Sequence, residues 1–201
     1  MTYKIKDLPV FATLITATEN FISENECIEI SKHARTITNS TLLGYSDSIS
    51  QKHNSNVNES VIKDIMQNVD NCETLENRLL EVINDYTEKV GLSPVTLTNS
   101  WINIQKKGST LLPHRHPGHT ISGTLYLKVD SESSPIIFST PNPFTSFYTS
   151  SKVKDTLFNY ENVRITPKNG VLVLFPSWLL HSGGTNNSEE RIALSFNASE
   201  R

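Results

Sequence analysis

Apolar residues recur at helical intervals in the front of the chain and at alternate positions in the rest. In "SENECIEISKHARTI", Ser23 and Glu26 have the spacing of a capping box, and Cys27, Ile30 and Ala34 follow on one helical face. Val61, Ile65 and Val69 form a second stripe. Leu75, Leu79, Ile83, Tyr86 and Val90 form a third, closed by Gly91, a residue suited to a helix C-terminus. The polar stretch "TNSTLLGYSDSISQKHNSNVNES" predicts a long loop. His33 and His53 are expected to be exposed polar side chains. From Val95 onward the period is two. The runs "VTLTNSWINIQ", "HTISGTLYLKV", "SPIIFST", "GVLVLFPSWLLH" and "RIALSFN" predict short strands separated by turn residues. The expectation is a single domain, mainly β with N-terminal helices: a helical portion over 1–92 and an all-β core over 93–201, built as a sandwich, jelly roll or barrel.

Length and charge narrow the possibilities. A chain of 201 residues is long enough to bury a substantial core as one domain. The net charge of −3 and the lack of a Lys/Arg cluster give no footprint for nucleic acid or a membrane surface. No apolar run approaches the roughly 20 residues that span a bilayer, and the first residues lack a secretory pattern. Cys27 and Cys72 have no C-x-x-C spacing and read as reduced thiols of a cytoplasmic protein, with a disulfide as the lesser alternative.

The candidate chemistry is concentrated in "PHRHPGHTISGTLYL". On a strand, residues i and i+2 share a face, so His114 and His116 can converge on one ion while Arg115 points away. Neutral imidazole binds Fe, Zn, Cu and Ni, but two ligands are too few. His181, at the end of the apolar run "GVLVLFPSWLLH", is the best third. An isolated H-x-H is a weak pattern, more often ordinary exposed loop histidines than a metal site. His119 reads as a neighbouring loop residue, with a ligand role as the lesser option. Arg191 alternates with Ile192, Leu194 and Phe196. Its guanidinium either enters the metal cavity to bind a carboxylate or pairs with Glu189 or Glu190 at the strand start. Tyr126 is either a phenol reaching that carboxylate or an ordinary core tyrosine. Asn103 either donates an amide N–H into the cavity or is an exposed strand residue. Residues 139–163, "STPNPFTSFYTSSKVKDTLFNYENV", form either a lid over the site, with Phe144, Phe147, Tyr148 and Tyr160 as its aromatics, or a hairpin extension.

Five ordered blocks carry a resemblance: W-x-N (Trp101, Asn103), H-x-H-P (His114 to Pro117), S-G-x-x-Y-L (Ser122 to Leu127), F-P-S-x-x-x-H (Phe175 to His181) and R-x-x-x-S-F-N (Arg191 to Asn197). Over residues 95–197 the chain resembles a group of small 2-oxoglutarate/Fe(II) oxygenases, largely from marine bacteria, cyanobacteria and their phages. The resemblance implies a double-stranded β-helix (a jelly roll, cupin-like) that binds Fe(II) and 2-oxoglutarate. Carried over, His114 and His181 are metal ligands, and Arg191 with Tyr126 binds the far carboxylate of 2-oxoglutarate, which Asn103 also touches. Family chemistry decarboxylates 2-oxoglutarate to succinate and CO2 while hydroxylating a C–H bond of a small-molecule or peptidyl substrate. The protein would act in the cytoplasm, a host's if the gene is phage-borne, and a homodimer stays open.

Two departures stand out. His116 occupies the place of the usual carboxylate ligand, so three neutral imidazoles leave the full charge of the ion, a set that Zn and Ni also accept. Ala193 stands where many relatives have a serine, and Ser195 could compensate only in the right register. "GSTLLPHRH" with "GVLVLFPSWLLH" also resembles the two motifs of cupins, although their usual Glu is missing near His119 and Thr120. A cupin-type metalloenzyme that ignores 2-oxoglutarate is therefore the alternative, beside a non-catalytic metal-binding β-helix module.

Overall fold

The computed structural model describes residues 11–40, 61–142, 151–156 and 158–200. His53, Phe144, Phe147 and Tyr148 lie outside the described residues. Three helices come from the front: α1 (Glu24–Ser40), α2 (Val61–Asn68) and α3 (Leu75–Lys89). The capping box starts α1 as its spacing predicts: the Ser23 N–H donates to Glu26 Oε2 at 2.8 Å, and the Glu26 N–H donates to Ser23 Oγ at 3.2 Å. Helix α3 buries Leu75, Leu79, Ile83 and Tyr86, but Val90 lies past its end and is exposed. Gly91 follows at φ 73°, the left-handed turn that ends the helix. His33 is not a free surface residue. Its Nε2 meets Asp64 Oδ2 at 2.6 Å, tying α1 to α2. Among the described residues, no helix is long and apolar enough to cross a membrane.

The front also supplies a strand. β1 (Thr16–Thr18) is too short and polar to show a period, and it forms only by pairing with β6 (Leu172–Pro176). The remaining strands are β2 (Thr96–Lys106), β3 (Ile121–Lys128), β4 (Ile136–Ser139), β5 (Asn162–Ile165), β7 (His181–Gly183) and β8 (Glu190–Ser199). They make two antiparallel sheets with orders β1-β6-β3-β8-β2 and β5-β4-β7. The segment 139–163 thus ends in β5 and returns along β4. "GVLVLFPSWLLH" is two strands, not one. It leaves the large sheet after Pro176, turns through Ser177–Leu180, and re-enters as β7 in the small sheet. Pro176 has no N–H for a further ladder bond, and the Leu179 N–H closes the turn on its carbonyl at 2.9 Å.

Alternation divides the core. Ile192, Leu194, Phe196, Ile121, Leu125, Leu172 and Leu174 face the helices. Ala193, Tyr126, Val173 and Phe175 face the small sheet with Phe138 and Ile136. Because the apolar face of β8 is taken by the helices, its polar alternates, Arg191 included, are turned between the sheets. Gly123 permits this packing: a Cβ there would lie 2.3 Å from Phe196 Cζ and 2.9 Å from Leu174 Cδ2.

One carboxylate ties the helical layer to the sheet. Glu190 receives the Arg35 Nη2 of α1 at 2.7 Å, Lys128 of β3 at 2.8 Å and Lys106 of β2 at 3.0 Å. The Arg35 hydrogen bonds, then those of the lysines, hold its carboxyl far below the ordinary 4.5 against the opposing effect of burial. A depressed folded pKa gives stability that is present above the unfolded value and lost as pH falls toward the folded one. Acid titration is therefore expected to lower wild-type stability progressively below about pH 4.5, and the Glu190→Gln variant to show less of that slope. Urea midpoints measured from pH 6 to pH 3 check this.

Candidate metal centre

His114 and His116 lie in the connection between β2 and β3, not on a regular strand. Backbone pairing to the β6–β7 segment substitutes for one. The His114 N–H donates to the His181 carbonyl at 2.9 Å, the reverse bond is 3.1 Å, and the His116 N–H donates to the Ser177 carbonyl at 2.9 Å. Gly118, at φ 84°, turns the chain back toward β3. The three imidazoles converge as a result, with ligand nitrogens within 4.8 Å of one another.

Each ring is oriented by a neutral acceptor on Nδ1. His114 donates to the Leu112 carbonyl at 2.8 Å, His181 to the Leu179 carbonyl at 2.9 Å, and His116 to Asn197 Oδ1 at 2.6 Å. A carbonyl oxygen only accepts, so these contacts place the proton on Nδ1 and leave Nε2 as the atom that would ligate a metal. Burial pushes the His114 pKa down, which favours the neutral form that a metal requires. Asn197 is itself held. Its Nδ2 donates to Asn99 Oδ1 at 2.8 Å, and Ser122 Oγ donates to its Oδ1 at 2.7 Å. His119 stands apart, its Nδ1 near Thr98 Oγ1 and Ser199 Oγ.

The cavity beside the imidazoles is lined by Trp101, Asn103, Gln105, Thr124, Phe175 and Arg191, among others. Arg191 is 8% exposed. Its Nη1 donates to Gln105 Oε1 at 2.7 Å and its Nε to the Ser134 carbonyl at 3.2 Å. No carboxylate among the described residues pairs with it. Glu189 is taken by Lys107 and Glu190 by Arg35 and two lysines, which removes the local ion-pair alternative. The guanidinium lies 5.1 Å over the Tyr126 ring, and among the described residues the buried Tyr126 hydroxyl makes no well-formed hydrogen bond. A buried cation beside an unsatisfied hydroxyl is costly unless an anion joins them, and a carboxylate fits both groups. Asn103 lines the same cavity, with Nδ2 donating to Ser195 Oγ at 2.9 Å. Ser195 lines that cavity as well, its Oγ also 3.1 Å from Thr124 Oγ1, while Ala193 pairs with Asn103 and Tyr126 across the sheet.

Residues 99–197 match the family model described as "Putative 2OG-Fe(II) oxygenase". Through these residues the chain belongs to the 2-oxoglutarate/Fe(II) oxygenases. No curated protein matches it in sequence. Solved structures do match in fold. A Pseudomonas putida prolyl-4-hydroxylase has 11% identity and a TM-score of 0.62, with 94% of this chain and 89% of that one covered. The epimerase SnoN from nogalamycin biosynthesis, described as non-heme and alpha-ketoglutarate dependent, has 13% identity and a TM-score of 0.66 over 94% and 79%. HygX from Streptomyces hygroscopicus, solved with nickel and 2-oxoglutarate, has 12% identity and a TM-score of 0.60 over 94% and 83%. At such identities the likeness shows the fold, a double-stranded β-helix.

The candidate site contains residues that the sequence alone did not single out. Gln105 and Ser134 hold Arg191, and Asn197 holds His116. Asn197 was inside a motif, yet nothing in a linear pattern couples positions 116 and 197. Strand pairing of β3 with β8 sets Ser122 opposite Asn197 and brings them together. Losing an outer partner of a ligating histidine typically weakens metal affinity about 10–100-fold. The Asn197→Ala variant is expected in that range, measured by competition with a chromogenic chelator.

Proposed function

We propose that His114, His116 and His181 hold Fe(II), and that Arg191 and Tyr126 bind the far carboxylate of 2-oxoglutarate in an enzyme that hydroxylates a small-molecule or peptidyl substrate. The observation that carries this reading is the buried Arg191, without a carboxylate among the described residues, in the same cavity as three converging imidazoles. When bound, iron and 2-oxoglutarate supply the activation of O2 and the oxidation of a substrate C–H bond, with succinate and CO2 released. The protein's own residues bind, orient and exclude water. Asn197 and the Leu112 and Leu179 carbonyls aim the imidazoles, Gln105 and Ser134 hold the guanidinium, and Phe138 and Phe175 pack against His181 with ring centroids 6.1 and 4.6 Å away. A cytoplasmic location accords with the buried free thiols of Cys27 and Cys72.

A cupin-type metalloenzyme or a metal-binding module has no need for a buried guanidinium facing the metal. Anaerobic addition of Fe(II) and then 2-oxoglutarate separates the readings. The oxygenase gives a visible metal-to-ligand charge-transfer band, whereas folded, metal-loaded protein without that band overturns the proposal. Succinate formation under air then separates an enzyme from a binder.

A further inference from the structure

Arg191 is buried, and the side chain set directly against it is uncharged. In the β2–β8 ladder Gln105 stands opposite Arg191, so both side chains leave the sheet on one face, and both line the cavity. Gln105 Oε1 accepts from Arg191 Nη1 at 2.7 Å. A guanidinium only donates, so this contact also fixes which end of the amide is oxygen. The neighbouring cross-strand pair is built differently. Lys106 opposes Glu190, and the two join at 3.0 Å on the other face of the sheet. One position along, the same ladder thus sets a carboxylate against its cation, and at 105 it sets an amide.

A second contact makes the holder rigid. The other acceptor of Arg191 is the Ser134 carbonyl, reached by Nε at 3.2 Å. One buried amide, Asn186, ties both holders together. Its Nδ2 donates to the Gln105 backbone carbonyl at 3.3 Å, and its Oδ1 accepts the Ser134 N–H at 3.3 Å. The guanidinium is therefore held on two sides by groups without charge. This bracket orients the fork and leaves its charge, and the donors the bracket does not use, to a ligand.

We infer that Gln105 is a positioning residue that sets the selectivity of the cavity for an oxo acid ending in a second carboxylate. A glutamate of the same shape would place its own carboxylate on Arg191 and repel that of the ligand. The glutamine orients the cation without neutralising it. The inference rests on the proposed binding of 2-oxoglutarate to Arg191.

The test uses the full chain, loaded anaerobically with Fe(II) and titrated separately with 2-oxoglutarate and 2-oxovalerate. The two share the keto acid end that gives the charge-transfer band, and only the first has the far carboxylate. The readout is the ratio of their affinities. Loss of folded protein or of metal affects both acids alike and leaves that ratio unmoved. Wild type is expected to prefer 2-oxoglutarate by about thirtyfold or more. Gln105→Met removes the acceptor and adds no charge, and is expected to lower the ratio about threefold or more. Gln105→Glu is expected to lower it further, to near parity, because a like charge now faces the far carboxylate. The inference is overturned if Gln105→Met keeps the wild-type ratio, or if Gln105→Glu falls no further than Gln105→Met. Should Gln105→Glu fail to fold, the Gln105→Met ratio decides. Wild type without a band from 2-oxoglutarate overturns the proposed function. A wild-type ratio near one overturns the assignment of Arg191, and either result removes this inference as well.

Discussion

Replacing Arg191 by methionine is expected to weaken 2-oxoglutarate binding by about thirtyfold or more. Truncating one partner of a buried, hydrogen-bonded charge pair typically costs 2–5 kcal/mol, and each 1.4 kcal/mol is about tenfold. Methionine approximates the length of the arginine stem, so the cavity wall stays filled. The ligand-free fold is expected to change little. The substitution removes a buried cation that no carboxylate among the described residues balances, which offsets the lost bonds to Gln105 and Ser134. Metal affinity should remain, because Arg191 touches none of the three imidazoles' Nδ1 acceptors. Calorimetric titration of the metal-loaded protein with 2-oxoglutarate checks the first expectation, and thermal melts with and without ligand check the second. An unchanged 2-oxoglutarate affinity would falsify the assignment of Arg191.

The His181→Ala variant is expected to lose metal binding by more than the about 10–100-fold typical of losing an outer-shell partner. Two imidazoles remain, and among the described residues no carboxylate joins them to replace the third. The site cannot repair itself by a backbone shift, since His114 is bridged to residue 181 in both directions. Wild-type protein should melt higher with added Fe(II) or Zn(II), because a ligand that binds only the folded state stabilises it by mass action. In His181→Ala that increment should vanish, together with the 2-oxoglutarate charge-transfer band. Equilibrium dialysis against the metal gives the stoichiometry directly. One bound equivalent in the variant, at wild-type affinity, would remove His181 from the ligand set.

The fold was legible wherever a period could be read over several residues. The helical stripes at Cys27 to Ala34 and Leu75 to Tyr86, and the alternation in β2, β3 and β8, report which face each element buries. β1 was not legible, because three residues carry no period and their pairing with β6 is a long-range contact. The break in "GVLVLFPSWLLH" was missed for a related reason. An apolar run looks the same whether it stays in one sheet or crosses to another.

The chain's residue types by themselves determined the chemical inventory: three histidines, an arginine on the polar face of a β8 backed by apolar alternates, and a tyrosine one strand away. Five of the six site residues named from sequence, His114, His116, His181, Asn103 and Arg191, line one cavity, with Tyr126 behind Arg191. Only the tertiary structure decided which partner each of them has. Arg35, Lys106 and Lys128 claim Glu190, and Lys107 claims Glu189, which leaves Arg191 facing the cavity. Strand register brings Asn197 to His116 and so orients that imidazole. The physical reason is that periodicity is local and reports burial, whereas charge compensation and ring orientation depend on groups that meet only after the two sheets close.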